Sequence, residues 1–456
     1  MHRFYPSRFV LGAALCAASF AFGQDGPPTR AEYDALRKEV QDLKKTGPAA
    51  PSAPANSYLS KLGQHFRLFG FLRLDIAYDD SEMNNPQLPF FVNPENGGLP
   101  THDDELSIYT KNTRLGLEFK NPDLTEGYAV DGLLEVDFYG NGTNSRNEFR
   151  SRHAFLRLSK AHCALLAGQT FDLFSPLMPS VNVDNIHWNV GNTGDRRPQL
   201  RFSYMPEPEQ FKNKGGKLMI EGALALQSAV DNGNLDGDGN LDGEDSGMPQ
   251  IQARVGYHGR LMSEKSEDFQ IGTWIVRGWE ETDVRVGGHD NFDVELFGFD
   301  VKVPIVADVL AVKGEWWIGK NLDDLRGGIG QGISAIGEEV NSMGYWFELG
   351  LTPTNEWNKK WKTGYYLGYA EDNPARHDLP AAGRIRNQVY STGFTSKRWD
   401  PVSFGAEYLY WETEYNALLK GDAHRLKFVI AYSFSTARAL PPIGGIAPAA
   451  PDSAAQ

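Results

Sequence analysis

The chain has 456 residues, of which 41% are hydrophobic, and its mean hydropathy is −0.44. Outside the first 23 residues it holds no apolar run of the ~18 residues that a spanning helix needs, so a polytopic helical membrane protein is excluded. A net charge of −14 argues against a nucleic-acid-binding body, and 12% aromatics with 48 glycines favour strands and turns.

Residues 1–23 carry Arg3 and Arg8 before an apolar stretch from Phe9 to Phe22. Ala21 and Gly23 put small residues at the −3 and −1 positions, so a signal peptide cleaved before Gln24 is expected. Losing both arginines takes the charge from −14 to −16. It also removes Cys16 and leaves Cys163 alone, which excludes an intramolecular disulfide and a cysteine-based zinc site. Residues 24–45 include Tyr33, Leu36, Val40 and Leu43 at a/d heptad spacing. Two heptads are too short to stand alone, so a short periplasmic coiled coil supported by identical helices is expected. Residues 46–63 read as a Pro/Ala-rich linker.

From 64 to 434 the chain alternates apolar and polar residues with period two. Residues 67–79 place Leu68, Leu72, Leu74 and Ile76 on one face and Arg67, Arg73, Asp75 and Asp79 on the other. The same pattern recurs at 128–139, 217–227, 309–321, 340–352 and 425–434. Strands of about ten residues suit a tilted bilayer crossing. Connections alternate between short turns (Asn121-Pro122-Asp123, Pro353-Thr354-Asn355) and long polar loops (79–105, 229–249, 373–388). Together these predict an all-β transmembrane antiparallel barrel of about 16 strands in a Gram-negative outer membrane. Tyr109, Tyr139, Trp357, Trp361, Tyr408 and Tyr410 are expected in the interfacial girdles. Residues 435–456 form a Pro/Ala-rich tail.

Several ordered motifs resemble DcaP-like outer-membrane porins. They are Arg114-Leu115-Gly116-Leu117, Arg152-His153-Ala154-Phe155 and Ala167-Gly168-Gln169-Thr170-Phe171. Further on come Arg196-Arg197-Pro198-Gln199-Leu200-Arg201, Lys313-Gly314-Glu315 before Trp316-Trp317, and Gly328-Ile329-Gly330-Gln331-Gly332. The resemblance implies a homotrimer of 16-stranded barrels in outer-membrane lipid, with a preference for small anions such as dicarboxylates. The 22 residues after Phe434 depart from the usual barrel ending on a terminal aromatic.

Alternation assigns Arg73, Arg114, Arg157, Arg201 and Arg254 to the lumen, opposed by Asp131, Glu135 and Asp137. Arg196 and Arg197 end the long segment that follows Thr170, which is expected to fold into the barrel. The register near Arg150 and Arg152 stays ambiguous, because Ala154, Leu156 and Leu158 claim the same face. In the loop 231–245, Asp236, Asp238, Asn240 and Asp242 alternate with Gly237, Gly239 and Leu241, a partial match to calcium-loop spacing that marks a candidate structural Ca²⁺ site. No catalytic signature occurs, and no cofactor is expected for transport. The favoured function is a passive porin. The alternatives are a plugged-barrel anchor or adhesion protein, and a carbohydrate- or phosphate-selective porin.

Overall fold

The computed structural model describes residues 65–95, 104–140, 147–206, 216–230, 233–237, 240–260, 268–334 and 336–436. The expected signal segment, coiled coil, linker and almost all of the tail lie outside them. The strands are β1 (Phe66–Asp79), β2 (Glu105–Tyr109), β3 (Arg114–Thr125), β4 (Tyr128–Asp137), β5 (Arg150–Lys160) and β6 (Cys163–Phe171). They continue with β7 (Arg196–Tyr204), β8 (Lys217–Ala225), β9 (Gln250–Arg260), β10 (Asp268–Val286), β11 (His289–Val306) and β12 (Leu310–Lys320). The last five are β13 (Asn341–Leu351), β14 (Thr363–Pro374), β15 (Arg384–Trp399), β16 (Val402–Tyr415) and β17 (Gly421–Ser435).

Each strand pairs antiparallel with its neighbours, and β17 returns to β1, from Phe69↔Ser435 to Asp79↔Arg425. Closure leaves no free sheet edge in the hydrocarbon layer. Both β2 and β3 pair with β1, through Asp75↔Tyr109 and Phe71↔Arg114. They are one stave broken at Thr110–Thr113, where the register steps by one residue. The Thr113 hydroxyl accepts the Arg73 amide at 3.0 Å across the break. The barrel therefore has sixteen staves.

Polarity is inverted relative to a soluble barrel. Leu72, Leu106, Ile108, Leu156, Leu367 and Phe428 are exposed on the outer wall, whereas Asp75, Asp79, Arg425 and Lys427 are fully buried inside. Short connections such as Glu126-Gly127, Ala161-His162 and Asp400-Pro401 lie at the end where β1 begins and β17 finishes. The other end carries the long loops, as in outer-membrane barrels. The shortest connection at the loop end among the described residues is Gly287-Gly288, which turns the tall β10–β11 hairpin with both glycines at positive φ.

Four local expectations change. Asn121-Pro122-Asp123 is not a turn; it lies within β3, where the pairing is irregular between Asn121 and Thr125. Pro353-Thr354-Asn355 opens a longer connection containing helix α1 (Glu356–Trp361), capped by the Asn355 side chain. Trp357 and Trp361 stack on that helix, centroids 5.4 Å apart, rather than on strand ends. Tyr109 and Tyr139 are buried and turn inward to a charged hub, so they do not belong to a girdle.

Loops 80–95, 172–195 and 321–334 fold into the barrel and build two apolar cores in it. One joins Met83, Val92, Leu177 and Val190 to the inward Trp346 and Trp411. The other joins Phe174, Leu322 and Leu325 to Trp274 and Trp317. The wall around them is tight. Gly168 holds φ +129°, and a β-carbon there would stand 2.2 Å from the Ala154 carbonyl. Gly168→Ala is expected to lower barrel stability by about 1–3 kcal/mol, read from the urea midpoint in detergent; an unshifted midpoint would show that the β5–β6 pair tolerates the methyl group.

Candidate functional site

The segment 172–195 crosses the lumen as a strap. A loop inside a barrel must find acceptors for its own N–H groups, because burial without partners is costly. Here the wall supplies them in order. The Leu173 amide donates to Gln252 of β9 at 3.0 Å, and the Leu177 amide to Glu315 of β12 at 2.8 Å. The Ser180 amide reaches Glu348 of β13 at 2.6 Å, and that of Asn182 reaches Glu407 of β16 at 2.7 Å. Gly191 closes the return limb: its carbonyl accepts the Trp317 indole N–H at 2.7 Å.

Asp184 ends this walk. Lys427 lies 3.0 Å from one carboxylate oxygen and Arg73 lies 3.4 Å from the other. Tyr109 and Tyr139 donate their hydroxyls at 2.5 and 3.0 Å, and Asn112 also donates. Burial alone would raise the Asp184 pKa, but Lys427, Arg73 and the Tyr109 hydrogen bond outweigh it and hold the carboxyl below the usual range. Nearby His187, buried in the strap, is pushed down to about 3 by desolvation and is neutral at working pH.

Two cavities flank the strap, of about 600 and 420 Å³. Arg157, Arg201 and Arg254 line the larger one, together with Lys313, Glu221 and Glu348. Arg73, Arg114 and Arg196 line the smaller one. Arg197 lines neither: it is fully buried between Asp172 at 2.7 Å and Asp324 at 2.6 Å, where it ties two inward loops to β7. Asp131, Glu135 and Asp137 stand behind arginines rather than on a cavity surface. Asp131 meets Arg157 at 3.1 Å and Glu135 meets Arg152 at 2.7 Å.

The ambiguous register resolves as a β-bulge. Glu135 pairs with His153, but Val136 pairs with Ser151, so Arg152 is the extra residue. A bulge re-aims side chains, and both Arg150 and Arg152 line the smaller cavity. Asp137 sits between them, 2.6 Å from Arg150 and 2.9 Å from Arg152. The signal was present in the sequence: two arginines in phase with Ala154, Leu156 and Leu158, on a face that is otherwise apolar, are what a bulge produces. Arg196 packs over Phe171 and Trp188, at 5.1 and 5.6 Å from their ring centroids. Its Nη1 is buried without a hydrogen-bond partner.

Of the expected calcium ligands, Asp238 lies outside the described residues. Asp236 accepts the Asp283 amide at 2.6 Å, while the buried Asp242 accepts that of Leu235 at 3.0 Å. Among the described residues no three His, Cys, Asp or Glu side chains gather as for a metal.

A closed sixteen-stave barrel with an apolar outer wall, a charged interior and a strap across its lumen is an outer-membrane barrel of the porin fold. No protein-family model and no curated protein matches the sequence. Among solved structures it is similar to the outer-membrane channel DcaP of Acinetobacter baumannii, with a TM-score of 0.62 at 19% identity over 81% of this chain and 97% of that one. It is also similar to an anion-selective porin from Comamonas acidovorans, with a TM-score of 0.50 at 13% identity over 81% of this chain and 99% of that one.

Replacing Asp184 by Asn should loosen the strap, because Lys427 and Arg73 lose one of the two carboxylates that they share and keep only Asp75. Single-channel recordings should then show larger, fluctuating conductance; a trace like the parent's would mean the strap does not depend on this hub. The parent itself should be steady on mild acidification. A carboxyl whose folded pKa is depressed contributes stability above its unfolded value, near 3.8, and that stability is lost only as pH falls through the lower folded value. Strap loosening near neutral pH would contradict the assignment.

Proposed function

We propose that this barrel is a passive diffusion channel for small hydrophilic solutes, with a preference for small anions such as dicarboxylates. The observation that carries the reading is the charge balance beside the strap. Arg114, Arg150, Arg152, Arg196 and Arg326 share three carboxylates, those of Glu135, Asp137 and Asp195. Four of these five arginines face the smaller cavity, and the carboxylates sit behind them. Guanidinium forks suit carboxylate and phosphate oxygens, and a low-dielectric wall focuses their field into the passage. The net charge of −14 does not oppose this, because at physiological salt charges beyond ~8 Å are screened.

Full-length protein in planar bilayers should give a reversal potential of anion-selective sign in a KCl gradient. The double change Arg152→Gln with Arg196→Gln should lower the chloride-to-potassium permeability ratio by about two-fold or more. Cation selectivity in the parent overturns the reading. A barrel that conducts nothing favours the plugged-anchor alternative, which the two apolar cores inside the wall make a real competitor.

Assembly as a homotrimer through the barrel wall and the a/d stripe of Tyr33, Leu36, Val40 and Leu43 is part of the proposal. Light scattering in mild detergent should give three copies, and a monomeric mass refutes it. A structural Ca²⁺ held by Asp236, Asp238, Asn240 and Asp242 is also proposed, with the micromolar-to-millimolar affinity of weaker loop sites. Calcium should slow proteolysis of the 231–245 loop, and Asp236→Ala with Asp238→Ala should abolish the effect; no effect in the parent removes the site.

A further inference from the structure

The smaller cavity has a second basic feature, at the turn end of the wall and away from the arginine cluster. Lys362 closes helix α1 in the left-handed conformation, φ 47° and ψ 53°. Helices commonly end this way on glycine, because a β-carbon is strained there. The strain is held by a rigid turn. The Lys362 amide donates to the Asn358 carbonyl at 2.6 Å, and its own carbonyl accepts the Lys397 amide at 3.2 Å. The buried Asn358 side chain donates to the Pro353 carbonyl at 2.7 Å and to the Thr363 carbonyl at 2.9 Å, and it accepts the Thr363 amide. Two lysines from β15 and the β13–β14 connection are thereby fixed side by side.

Both lysines line the cavity, whose other charged lining residues are Arg73, Arg114, Arg150, Arg152, Arg196 and Asp184. Asp184 is already engaged by Lys427 and Arg73. The carboxylate near Lys362 is Asp400, at 3.7 Å, and both side chains are more than half exposed. Such a pair is weak and screened; Asp400 also faces Lys397, so one carboxylate stands against two lysines and a net positive field remains.

We infer that Lys362 and Lys397 form a cationic exit station for anions that the arginine cluster draws in, so that the smaller cavity is a two-step path. This rests on the anion-channel reading above. One deep basic well would retain an anion; conduction needs several sites, each weak enough to release it. Arginines, with paired carboxylates behind them, serve the loop side. Lysines, as compact charges on flexible stems, serve the turn side.

The test is the reversal potential of the full-length protein in planar bilayers, with KCl as the probe. With the parent anion-selective, Lys362→Gln plus Lys397→Gln should lower the chloride-to-potassium permeability ratio by about two-fold or more, while Lys397→Arg keeps it. An anion-selective parent with an unchanged ratio in the double variant overturns the exit station and leaves the anion reading standing. A cation-selective parent overturns both. If the double variant does not fold to a heat-modifiable barrel, Lys362→Gln alone decides, since that side chain is mostly exposed. A fall in its ratio supports the station and an unchanged ratio refutes it.

Discussion

The strap's backbone amides set a demand that the rest of the lumen answers. A segment of two dozen residues inside a barrel cannot satisfy itself as a strand or a helix would. Gln252, Glu315, Glu348 and Glu407 present side-chain oxygens from four strands to successive strap amides. These side chains, three of them acidic, are the brackets of the loop. Once they are committed to it, they compete less for the lining arginines. The charge that a solute meets is therefore more basic than the bare composition of the wall.

The same demand explains why the lumen is uneven. On the side of β9 to β17, the inward Trp274, Trp317, Trp346 and Trp411 meet apolar residues of three infolded loops. On the side of β1 to β7 the wall keeps arginines, which both cavities reach. Apolar filling takes volume from the lumen and leaves the arginines lining what remains. Selectivity and packing are in this sense one design.

Much of the barrel was legible because alternation has period two and one face must be apolar. Leu68, Leu72 and Phe428 point outward, while Arg73, Asp75 and Lys427 point inward, as the pattern required. Tyr109 and Tyr139 were not legible: aromatic residues near strand ends read as girdle residues unless the contact with Asp184 is known. The bulge at Arg152 lay in the sequence only as arginines on an otherwise apolar face. Arg197, with the same residue type as Arg196 beside it, lines neither cavity and is sealed between Asp172 and Asp324. Local patterning gives the face of a strand, but not which long-range partner occupies it. Lys362 was hidden differently, since nothing in a lysine after a short helix announces a left-handed backbone.

The cores inside the wall tie together distant parts of the chain. Val92 is held by the Thr413 hydroxyl across 321 positions, and Arg425 meets Asp79 across 346. Neither contact exists until the last two strands are made. A partial sheet gains almost nothing from the interior, so stabilisation arrives late and all at once. Contacts this far apart in sequence make folding slow, and they leave the growing barrel with open edges until closure. The chain is built so that a finished barrel is sealed by its own loops, and an unfinished one must be escorted.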